Sequence, residues 1–350
     1  MKVAVVGAGI MGASTALSLI DRGHSVTIFD QFLVGHQQGS SHGRSRIVRK
    51  AYVDAFYTRI MLDGYPMWWK LQERLGKQIL FETGLVYFAK QENPEYSSLV
   101  QALVDNEVKY EVYGKDGIHK VFPTLALHEG ERACFSADGG WVRADQAVSG
   151  TVKLACDGGA TLVQQGVADP KSLLAEFDSV VVCAGAWAKS MFTLPVKPTL
   201  QTFAYLQTNG PQRGPVWIHG DDHNVYGIPS EPGQSSIKFG VHSPGPDLEP
   251  ESPDRPVIEN HLEILKTFAK ERFGDENPLL LEPTTCVYTR TTNEDFLWGQ
   301  AEENLFWVSP CSGHGFKFGP WIGERMADMA EGSLKPEEEP RFAANKNGKE

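Results

Sequence analysis

The chain has 350 residues, of which 41% are hydrophobic, and this length suffices for two domains or for one domain with a large insertion. Its 44 acidic and 33 basic side chains leave a formal charge of −11, which argues against a general attraction to nucleic acid or to an anionic membrane surface. No apolar run approaches the about 20 residues that a membrane-spanning helix needs. The five cysteines lack CxxC spacing, which disfavours a zinc or other metal site and a disulfide framework and predicts a reducing, cytoplasmic location.

The first 30 residues predict a nucleotide-binding β-α-β unit. Residues 3–6 form an apolar run that suits a buried parallel strand, and the turn GAGIMG follows at residues 7–12. Apolar residues then recur at helical spacing until Gly23, and a second strand at residues 25–29 leads into Asp30.

Each part of this unit has a mechanical task. Gly7 allows the tight turn, Gly9 lets the backbone approach a pyrophosphate, and Gly12 lets the helix pack against the strand. Amides at the helix N-terminus receive the phosphates, and the carboxylate of Asp30 accepts hydrogen bonds from a ribose. The motif alone does not separate FAD from NAD. The predicted contacts of the dinucleotide are Gly7, Gly9, Ile10, Met11, Gly12 and Asp30.

A polar, glycine-rich stretch at residues 35–49 follows, and no regular periodicity fits it. It contains two histidines and three arginines in an otherwise acidic chain. One interpretation is a solvated basic loop, because loops carry charge freely. The other is a loop that crosses the cofactor and supplies cations to a negatively charged ligand.

The middle of the chain predicts alternating helices and strands. Residues 52–75 read as a helix that Gly64 and Pro66 break into two pieces. Strands follow at residues 79–89, and the stretch 91–141 mixes helix and loop. Within that stretch, Asp138-Gly139-Gly140 reads as a turn.

The second half of the chain begins with elements that return to the first domain. A helix at residues 145–155 precedes two strands, and the second strand ends in the small-residue turn Ala184-Gly185-Ala186-Trp187, suited to lie beside the cofactor. Short β-like runs between residues 200 and 241 predict an antiparallel sheet. The remaining predicted elements are a helix from 258 to about 274, a strand at 305–308 and a last helix that ends at Gly332.

This order predicts an α/β fold of two domains (α+β overall). A discontinuous Rossmann-type FAD-binding domain takes residues 1–80, 142–198 and 280–332, and an antiparallel-sheet substrate domain takes 81–141 and 199–279. Residues 333–350 are expected to form a frayed C-terminal tail. Because NAD-dependent dehydrogenases more often keep the nucleotide domain contiguous, the interleaving favours FAD.

Seven short motifs follow one another along the chain: GAGIMG (7–12), GSSHG (39–43), RIVR (46–49), AGAW (184–187), IKFGVH (237–242), CVYT (286–289) and SGHGFKF (312–318). They stand in the order found in monomeric sarcosine oxidases, and from residue 1 to about 330 the chain resembles this family and the similar pipecolate and N-methyltryptophan oxidases. The resemblance implies a monomeric FAD-dependent amine oxidase of the D-amino acid oxidase-like superfamily. Its expected reaction converts a small secondary amino acid, N-methyl or cyclic, such as sarcosine, to an imine while O2 is reduced to H2O2.

The resemblance also assigns residues around the flavin. Cys286 matches the cysteine that forms a thioether to the 8α carbon of FAD, and Lys238 matches the lysine that helps oxygen react. A cation there would stabilise the charge that develops on oxygen. His42 and Arg46 match residues beside the flavin ring. Further cofactor contacts implied by the resemblance are Ser40, Ser41, Ala184, Gly185, Trp187, Gly313, Gly315 and Lys317.

The substrate contacts follow in the same way. Arg49 and Lys317 match the pair that holds the substrate carboxylate, with a bidentate fork from the arginine and a point charge from the lysine. Tyr226, Tyr288 and His242 match the lining of the pocket. Arg44 departs from the family pattern, because bacterial sarcosine oxidases usually have an acid there, and this puts the substrate preference in doubt.

Three other readings stay open at this point. The chain is alternatively an oxidase of a bulkier amino acid or a biosynthetic intermediate, an NAD-dependent dehydrogenase, or a flavin-binding module without turnover. The choice between direct hydride transfer and a nucleophilic adduct is open as well.

Overall fold

The computed structural model describes residues 1–344. Within these residues the strands, numbered in chain order, are β1 (Lys2–Val6), β2 (Ser25–Asp30), β3 (Ser45–Arg49), β4 (Leu80–Phe81), β5 (Leu85–Lys90), β6 (Glu111–Tyr113), β7 (Glu131–Ser136), β8 (Gly139–Arg143), β9 (Thr161–Gln164), β10 (Ser179–Val182), β11 (Lys197–Gln207), β12 (Val216–His219), β13 (Val225–Ile228), β14 (Ile237–Val241), β15 (Leu279–Arg290), β16 (Leu297–Glu302) and β17 (Leu305–Ser309). The α-helices are α1 (Ile10–Asp21), α2 (Ala55–Leu75), α3 (Pro94–Asp105), α4 (Ala144–Asp157), α5 (Ala188–Phe192), α6 (Glu259–Phe273) and α7 (Gly319–Glu331). None of these helices combines the length and the apolar character that crossing a bilayer requires.

A six-stranded sheet in the order β16-β17-β10-β1-β2-β9 carries the glycine-rich turn. All neighbouring pairs are parallel except β16 with β17. Val3 and Val5 pack into the core beneath α1, α4 and α7, whereas Ala4 and Val6 pack into a second core on the opposite face. Both faces of β1 are therefore buried. Parallel strands that are covered on both faces are usually continuous apolar runs, which explains the sequence of β1. The predicted α/β fold class is confirmed.

An eight-stranded sheet in the order β15-β11-β14-β13-β12-β5-β7-β6 forms the second large layer. The predicted antiparallel pairing of β11, β12, β13 and β14 is confirmed, and α6 covers one face of the sheet. A parallel pair, β12 with β5, joins two segments far apart in sequence, and the sequence analysis missed it. β15 pairs with β11 in this sheet, although residues from 280 onward were assigned to the cofactor domain; the domain boundaries stay a prediction.

The sequence analysis found no regular periodicity in the basic stretch, but part of this stretch forms a strand. Residues 45–49 form β3, which pairs with β8 in a three-stranded sheet of order β3-β8-β4. The predicted turn at 138–140 was wrong in part, because β8 begins at Gly139 and Gly140 pairs with Val48. A side chain at Gly140 would come 2.0 Å from the carbonyl oxygen of Phe81, so the strand needs glycine there. The pairing fixes the strand that carries Arg46 and Arg49.

Helix α2 is continuous from Ala55 to Leu75, so the predicted break at Gly64 and Pro66 was wrong. Pro66 lies on the exposed face of the helix, and Leu62, whose carbonyl loses its donor, is exposed as well. Water can therefore satisfy that carbonyl, which lowers the usual cost of an interior proline. The side of α2 that carries Met61 and Trp68 is buried in the core and holds the helix together across the proline.

The predicted frayed tail was wrong for residues 333–344. Phe342 is fully buried and packs edge-on against Phe56 and Trp298. The amide of Trp298 donates to the carbonyl of Phe342, and the amide of Ala344 donates to the carbonyl of Trp298. A buried aromatic side chain thus anchors a segment whose composition is that of a loop. Residues 345–350 of the predicted tail lie outside the described residues.

Candidate active site

A cavity of about 950 Å³ lies between the six-stranded and the eight-stranded sheet. It is lined by every residue that the sequence analysis placed in the site except Gly12. These residues are Gly7, Gly9, Ile10, Met11, Asp30, Ser40, Ser41, His42, Arg46, Arg49, Ala184, Gly185, Trp187, Tyr226, Lys238, His242, Cys286, Tyr288, Gly313, Gly315 and Lys317.

The glycine-rich turn forms one end of the cavity. Gly7 has φ +107°, and a Cβ there would come 2.4 Å from the carbonyl oxygen of Cys183, so the tight turn requires glycine. A Cβ on Gly12 would come 1.8 Å from the carbonyl oxygen of Gly7, which explains why Gly12 contributes to packing and does not line the cavity. Gly9 precedes the first residue of α1, and Gly9, Ile10 and Met11 line the cavity at the N-terminal end of that helix, where an anion is favoured.

Asp30 supports this turn from the end of β2. Its Oδ2 accepts a hydrogen bond of 2.7 Å from the amide of Ala8, and its Oδ1 accepts one of 2.9 Å from the amide of Phe32. The carboxylate therefore holds the glycine-rich turn in addition to facing the cavity. The ring of Phe32 lies 5.8 Å from that of Trp187, which follows the turn after β10.

The basic stretch crosses the cavity and ties the two sheets together. The Ser41 hydroxyl accepts a 3.1 Å hydrogen bond from the amide of Ile10 at the start of α1. The Ser40 hydroxyl donates a 2.6 Å hydrogen bond to the carbonyl oxygen of Val287 on β15. Of the two interpretations of this stretch, the loop that crosses a ligand cavity fits these contacts.

Two cations in the cavity, Arg46 and Lys238, are bound to backbone carbonyls rather than to carboxylates. Arg46 donates to the carbonyl oxygens of Ser40 at 3.0 Å and His42 at 2.5 Å. Lys238 donates from Nζ to the carbonyl oxygen of Ser45 at 2.8 Å, and its ammonium lies 4.2 Å from the centre of the Phe203 ring. Neutral partners leave the positive charge of this cluster uncompensated.

Burial makes this uncompensated charge costly. Lys238 is 2% exposed, and desolvation together with the nearby Arg46 lowers its pKa well below the ordinary value. Desolvation, with Arg46 and Lys238 adding to it, lowers the pKa of His42 to about 3. The Nε2 atom of His42 is buried and has no hydrogen-bond partner among the described residues. The cluster is therefore built to receive an anionic or hydrogen-bonding ligand.

A second pair of cations lies over the ring of Tyr52. The Arg49 guanidinium is 4.1 Å and the Lys317 ammonium 5.5 Å from the ring centre. Within residues 1–344, the Nε and Nη1 atoms of Arg49 are buried without hydrogen-bond partners, and Lys317 donates only to the carbonyl oxygen of His314, at 2.8 Å. Burial, with Arg49 adding to it, lowers the pKa of Lys317 well below its ordinary value. A substrate carboxylate would satisfy both groups.

The sequence analysis missed Tyr52 and Glu294. Glu294 Oε2 lies 3.7 Å from His242 Nε2, and the interaction with His242 lowers the pKa of Glu294 to about 2. The one sequence signal that could have indicated Tyr52 is its position three residues after Arg49. Glu294 lies in a polar loop with no motif of its own, so no signal could have found it.

Gly313 lets the loop before α7 lie against two predicted pocket residues. Its φ is +77°, and a Cβ there would come 2.5 Å from the Tyr288 ring and 2.7 Å from the His242 ring. A Cβ on Gly315 would come 1.5 Å from the carbonyl oxygen of Pro310. Both glycines of the SGHGFKF motif are thus needed for a close approach, and one of them approaches the rings that line the pocket.

Cys286 lies on β15 and is buried. Burial raises the pKa of its thiol, and the positive charges of Arg46 and Lys238 act in the opposite direction. Its Sγ is 3.8 Å from the carbonyl oxygen of Val287. The thiol therefore lies near the cation cluster, in the same eight-stranded sheet as Lys238.

Arg44 points away from the cation cluster. Its guanidinium lies 3.6 Å from the centre of the Tyr205 ring and within 3.7 Å of Glu231 and 3.6 Å of Glu282. Two carboxylates therefore balance its charge outside the cavity. The departure from the family pattern leaves the cavity lining itself unchanged.

A second group of titratable side chains lies outside the cavity. Glu131, His219 and Asp221 approach each other as metal ligands would. Arg272, however, donates to both carboxylate oxygens of Glu131 at 2.7 Å and lies 3.3 Å from His219 Nε2. The guanidinium of Arg272 supplies the positive charge that a metal ion would otherwise supply, so this group is an ion-pair network.

The residues present fit an FAD molecule. The N-terminal end of α1, which lines the cavity, suits a pyrophosphate, and the cations Arg46 and Lys238, which donate to backbone carbonyls, suit the electron-rich edge of a flavin. The unpartnered Nε2 of His42 offers a further polar contact.

Comparison with known proteins agrees with this geometry. Residues 2–329 match the family described as FAD dependent oxidoreductase. The peroxisomal sarcosine oxidase of Homo sapiens is 28% identical over 356 residues, covering 93% of this chain and 91% of the relative. The N-methyl-L-tryptophan oxidase of Salmonella heidelberg is 26% identical over 358 residues, covering 94% of each chain. The solved structure of NikD, an unusual amino acid oxidase essential for nikkomycin biosynthesis, shares the fold with a TM-score of 0.84 at 21% identity, covering 98% of this chain and 97% of NikD.

Proposed function

Because the chain belongs to the FAD dependent oxidoreductase family and is a sarcosine oxidase-like enzyme of that family, we propose that it oxidises a secondary α-amino acid, N-methyl or cyclic, to an imine. Sarcosine is the smallest such substrate, and O2 would be reduced to H2O2. The observation that carries the proposal is a pair of cations over the Tyr52 ring, the half-buried Arg49 and the buried Lys317, neither of which forms an ion pair with a carboxylate within residues 1–344. We also propose a cytoplasmic monomer, on the free cysteines and the resemblance to monomeric enzymes.

Arg49 and Lys317 would bind the substrate carboxylate. The guanidinium can donate two parallel hydrogen bonds, and the ammonium adds a point charge whose protonated form the carboxylate stabilises. Fixing the carboxylate at two points leaves the amine and the α-carbon with one orientation relative to the cation cluster. FAD, when bound, supplies the ring that accepts the hydride equivalent and returns the electrons to O2.

The residues of the cation cluster would stabilise negative charge. Arg46, tied to two carbonyl oxygens, presents a fixed positive charge, and His42 adds a hydrogen-bonding nitrogen. Lys238 would stabilise the charge that develops on oxygen, because a buried cation held in place costs no reorganisation during the reaction. His242, paired with Glu294 beside Tyr288, is our candidate for holding the proton of the substrate amine.

Cys286 would hold FAD covalently, through a thioether to the 8α carbon. Support comes from its place in the cavity wall on β15, where the Ser40 hydroxyl binds the next residue, Val287. Burial raises the pKa of the Cys286 thiol, and Arg46 and Lys238 oppose this rise by favouring the thiolate, which is the nucleophilic form.

The test is a panel of amines with detection of peroxide and of flavin absorbance in the purified holoenzyme. Sarcosine, pipecolate and N-methyltryptophan should each be compared, and at least one should bleach the flavin and release peroxide. Flavin absorbance without bleaching by any amine would identify a binding module. A protein without flavin that reduces NAD would overturn the proposal.

A matched pair of variants tests the carboxylate site. Arg49→Gln should raise KM for the best substrate by about 30- to 100-fold, because the substrate carboxylate would lose its charged hydrogen-bonding partner. Lys50→Gln is the control, because Lys50 bonds Asp138 outside the cavity lining and should leave KM within about twofold. Equal effects of the two substitutions would contradict the assignment. The second candidate function, oxidation of a bulkier amino acid, is favoured by the apolar and aromatic residues Tyr87, Ile218 and Tyr226 in the cavity lining.

A further inference from the structure

One row of residues crosses three neighbouring strands on the cavity wall. Tyr226 on β13 pairs with Ile218 on β12, and Ile218 pairs with Tyr87 on β5. Residues paired across strands project from the same face of a sheet, and all three line the cavity. The row depends on the parallel pairing of β12 with β5, so no motif in the sequence shows it.

Two glycines let the tyrosine rings of this row lie down on the sheet. A Cβ on Gly240 would come 2.4 Å from Cζ of Tyr226, and a Cβ on Gly220 would come 1.9 Å from the hydroxyl oxygen of Tyr87. Gly240 pairs with Tyr226 on the side away from β12. The Tyr226 ring therefore leans away from Ile218, and the Tyr87 hydroxyl end lies over Gly220, beyond the end of β12.

Ile218 is left as an apolar floor between the rings. Its side chain is partly exposed although its strand lies inside the eight-stranded sheet, with Trp217 and His219 on either side buried. Tyr87 and Tyr226 are two strand spacings apart, which is about 10 Å between backbones. That separation, with the partly exposed Ile218 beneath, the partly exposed Tyr226 ring on one side and the buried Tyr87 on the other, suits one aromatic ring or one branched aliphatic group.

Arg49, one of the two cations proposed to bind the substrate carboxylate, lies close to this row. Both Arg49 and Tyr87 line the cavity, and burial raises the pKa of the Tyr87 hydroxyl while the positive charge of Arg49 acts against this rise. Glu95 Oε2 accepts a 3.2 Å hydrogen bond from that hydroxyl and keeps the ring in place. A substrate held by its carboxylate at Arg49 can therefore direct its side chain over Ile218.

We propose that Tyr87, Ile218 and Tyr226 form a side-chain subsite, and that the preferred substrate is a secondary α-amino acid with a bulky apolar side chain, aromatic or branched, rather than sarcosine. This proposal rests on the proposed function for the reaction and deepens it by naming the substrate class. A small substrate would leave the isoleucine floor and the ring faces unoccupied, and the binding energy of this wall would be unused.

The experiment uses the holoenzyme and compares kcat/KM for sarcosine, N-methyl-L-leucine and N-methyl-L-phenylalanine. The value for N-methyl-L-phenylalanine should exceed that for sarcosine at least tenfold, since apolar groups of this size discriminate by that much or more. Ile218→Trp, which fills the subsite, should lower this ratio at least tenfold. Val112→Trp is the control, because Val112 is exposed on β6 at the edge of the same sheet and should leave the ratio unchanged.

A binding measurement keeps the inference independent of turnover and of the folding of the Ile218 variant. Dissociation constants of acetate and 3-phenylpropionate, which lack the reactive amine, can be read from their perturbation of flavin absorbance in the unmodified enzyme. 3-Phenylpropionate should bind at least tenfold more tightly than acetate. Equal affinities, or sarcosine as the best substrate, would overturn the subsite. Absence of turnover with all amines would instead contradict the proposed reaction, and the two failures are thus distinct.

Discussion

The guanidinium of Arg341 lies 2.7 Å from the carboxylate of Asp295 and also pairs with Asp54, the residue that caps the N-terminus of α2. The Tyr57 hydroxyl donates to the same Asp295 at 2.9 Å. One side chain from the C-terminal segment thus joins the start of α2 to the loop before β16. Glu294, which faces His242 in the cavity, is the neighbour of Asp295 in that loop.

We expect Arg341→Gln to lower the free energy of unfolding by about 2 kcal/mol, because Asp295 is buried and would lose its cationic partner. The measurement is chemical denaturation of the holoenzyme. Arg74→Gln is the control, since Arg74 pairs with Asp21 where both side chains are largely exposed, and it should cost less than about 1 kcal/mol. Equal losses of unfolding free energy in the two variants would contradict a stabilising role for the pairing of Arg341 with the buried Asp295.

Cys286→Ala should leave a protein that binds flavin without retaining it after acid precipitation. The unsubstituted enzyme should give a yellow pellet under the same conditions, because a thioether survives denaturation. Cys183→Ala is the matched control, as Cys183 also lines the cavity, but beside the glycine-rich turn. A colourless pellet from the unsubstituted enzyme would rule out the covalent link.

Lys238→Met should slow flavin reoxidation by O2 far more than flavin reduction by substrate. Within residues 1–344 the buried ammonium donates to the carbonyl of Ser45 and lies over the Phe203 ring, and methionine removes its charge while keeping a side chain of similar length. Stopped-flow measurement of the two half-reactions separates the effects. We expect a loss of about 100-fold or more in reoxidation, and equal losses in both half-reactions would contradict this role.

The local elements were predictable where one short segment carries its own pattern. β1, the glycine-rich turn and α1 follow from apolar spacing and glycines, and β13 and β14 lie within the stretch 200–241 where short strands were predicted. Pairings between distant segments were not predictable. β12 lies beside β5 because of packing across the sheet, and no periodicity in either strand indicates its partner.

The candidate site shows the same division. Lys238, Cys286 and Lys317 were found because each lies inside a motif of the resembled family, and all three line the cavity. Ile218 and Glu294 line it too, but they lie in a short strand and a polar loop that carry no motif. Phe342 escaped notice because its burial depends on Phe56 and Trp298, which are remote in sequence.

The burial of His314 makes the stability of the protein depend on pH. Its ring stacks on Phe296 with centres 4.8 Å apart, and Nδ1 has no hydrogen-bond partner among the described residues. Desolvation, with the charge of Lys317 adding to it, lowers its pKa to about 3, against 6.5 for the free side chain. The folded protein therefore keeps this histidine neutral down to pH values at which the unfolded chain is protonated.

Since the unfolded state binds the extra proton, the free energy of unfolding should fall as the pH decreases from 6.5 toward 3. Below about pH 3 both states bind this proton, so His314 should cause no further fall. Each such group contributes a slope of up to about 1.4 kcal/mol per pH unit. His42, with a pKa of about 3 for similar reasons, adds a second contribution of the same sign. The holoenzyme of His314→Gln should show a shallower dependence between pH 6.5 and 4.5 in denaturant titrations. His128→Gln, at an exposed position, serves as the control and should keep the original slope of unfolding free energy against pH. An unchanged slope for His314→Gln would show that His314 is not held neutral in the folded protein.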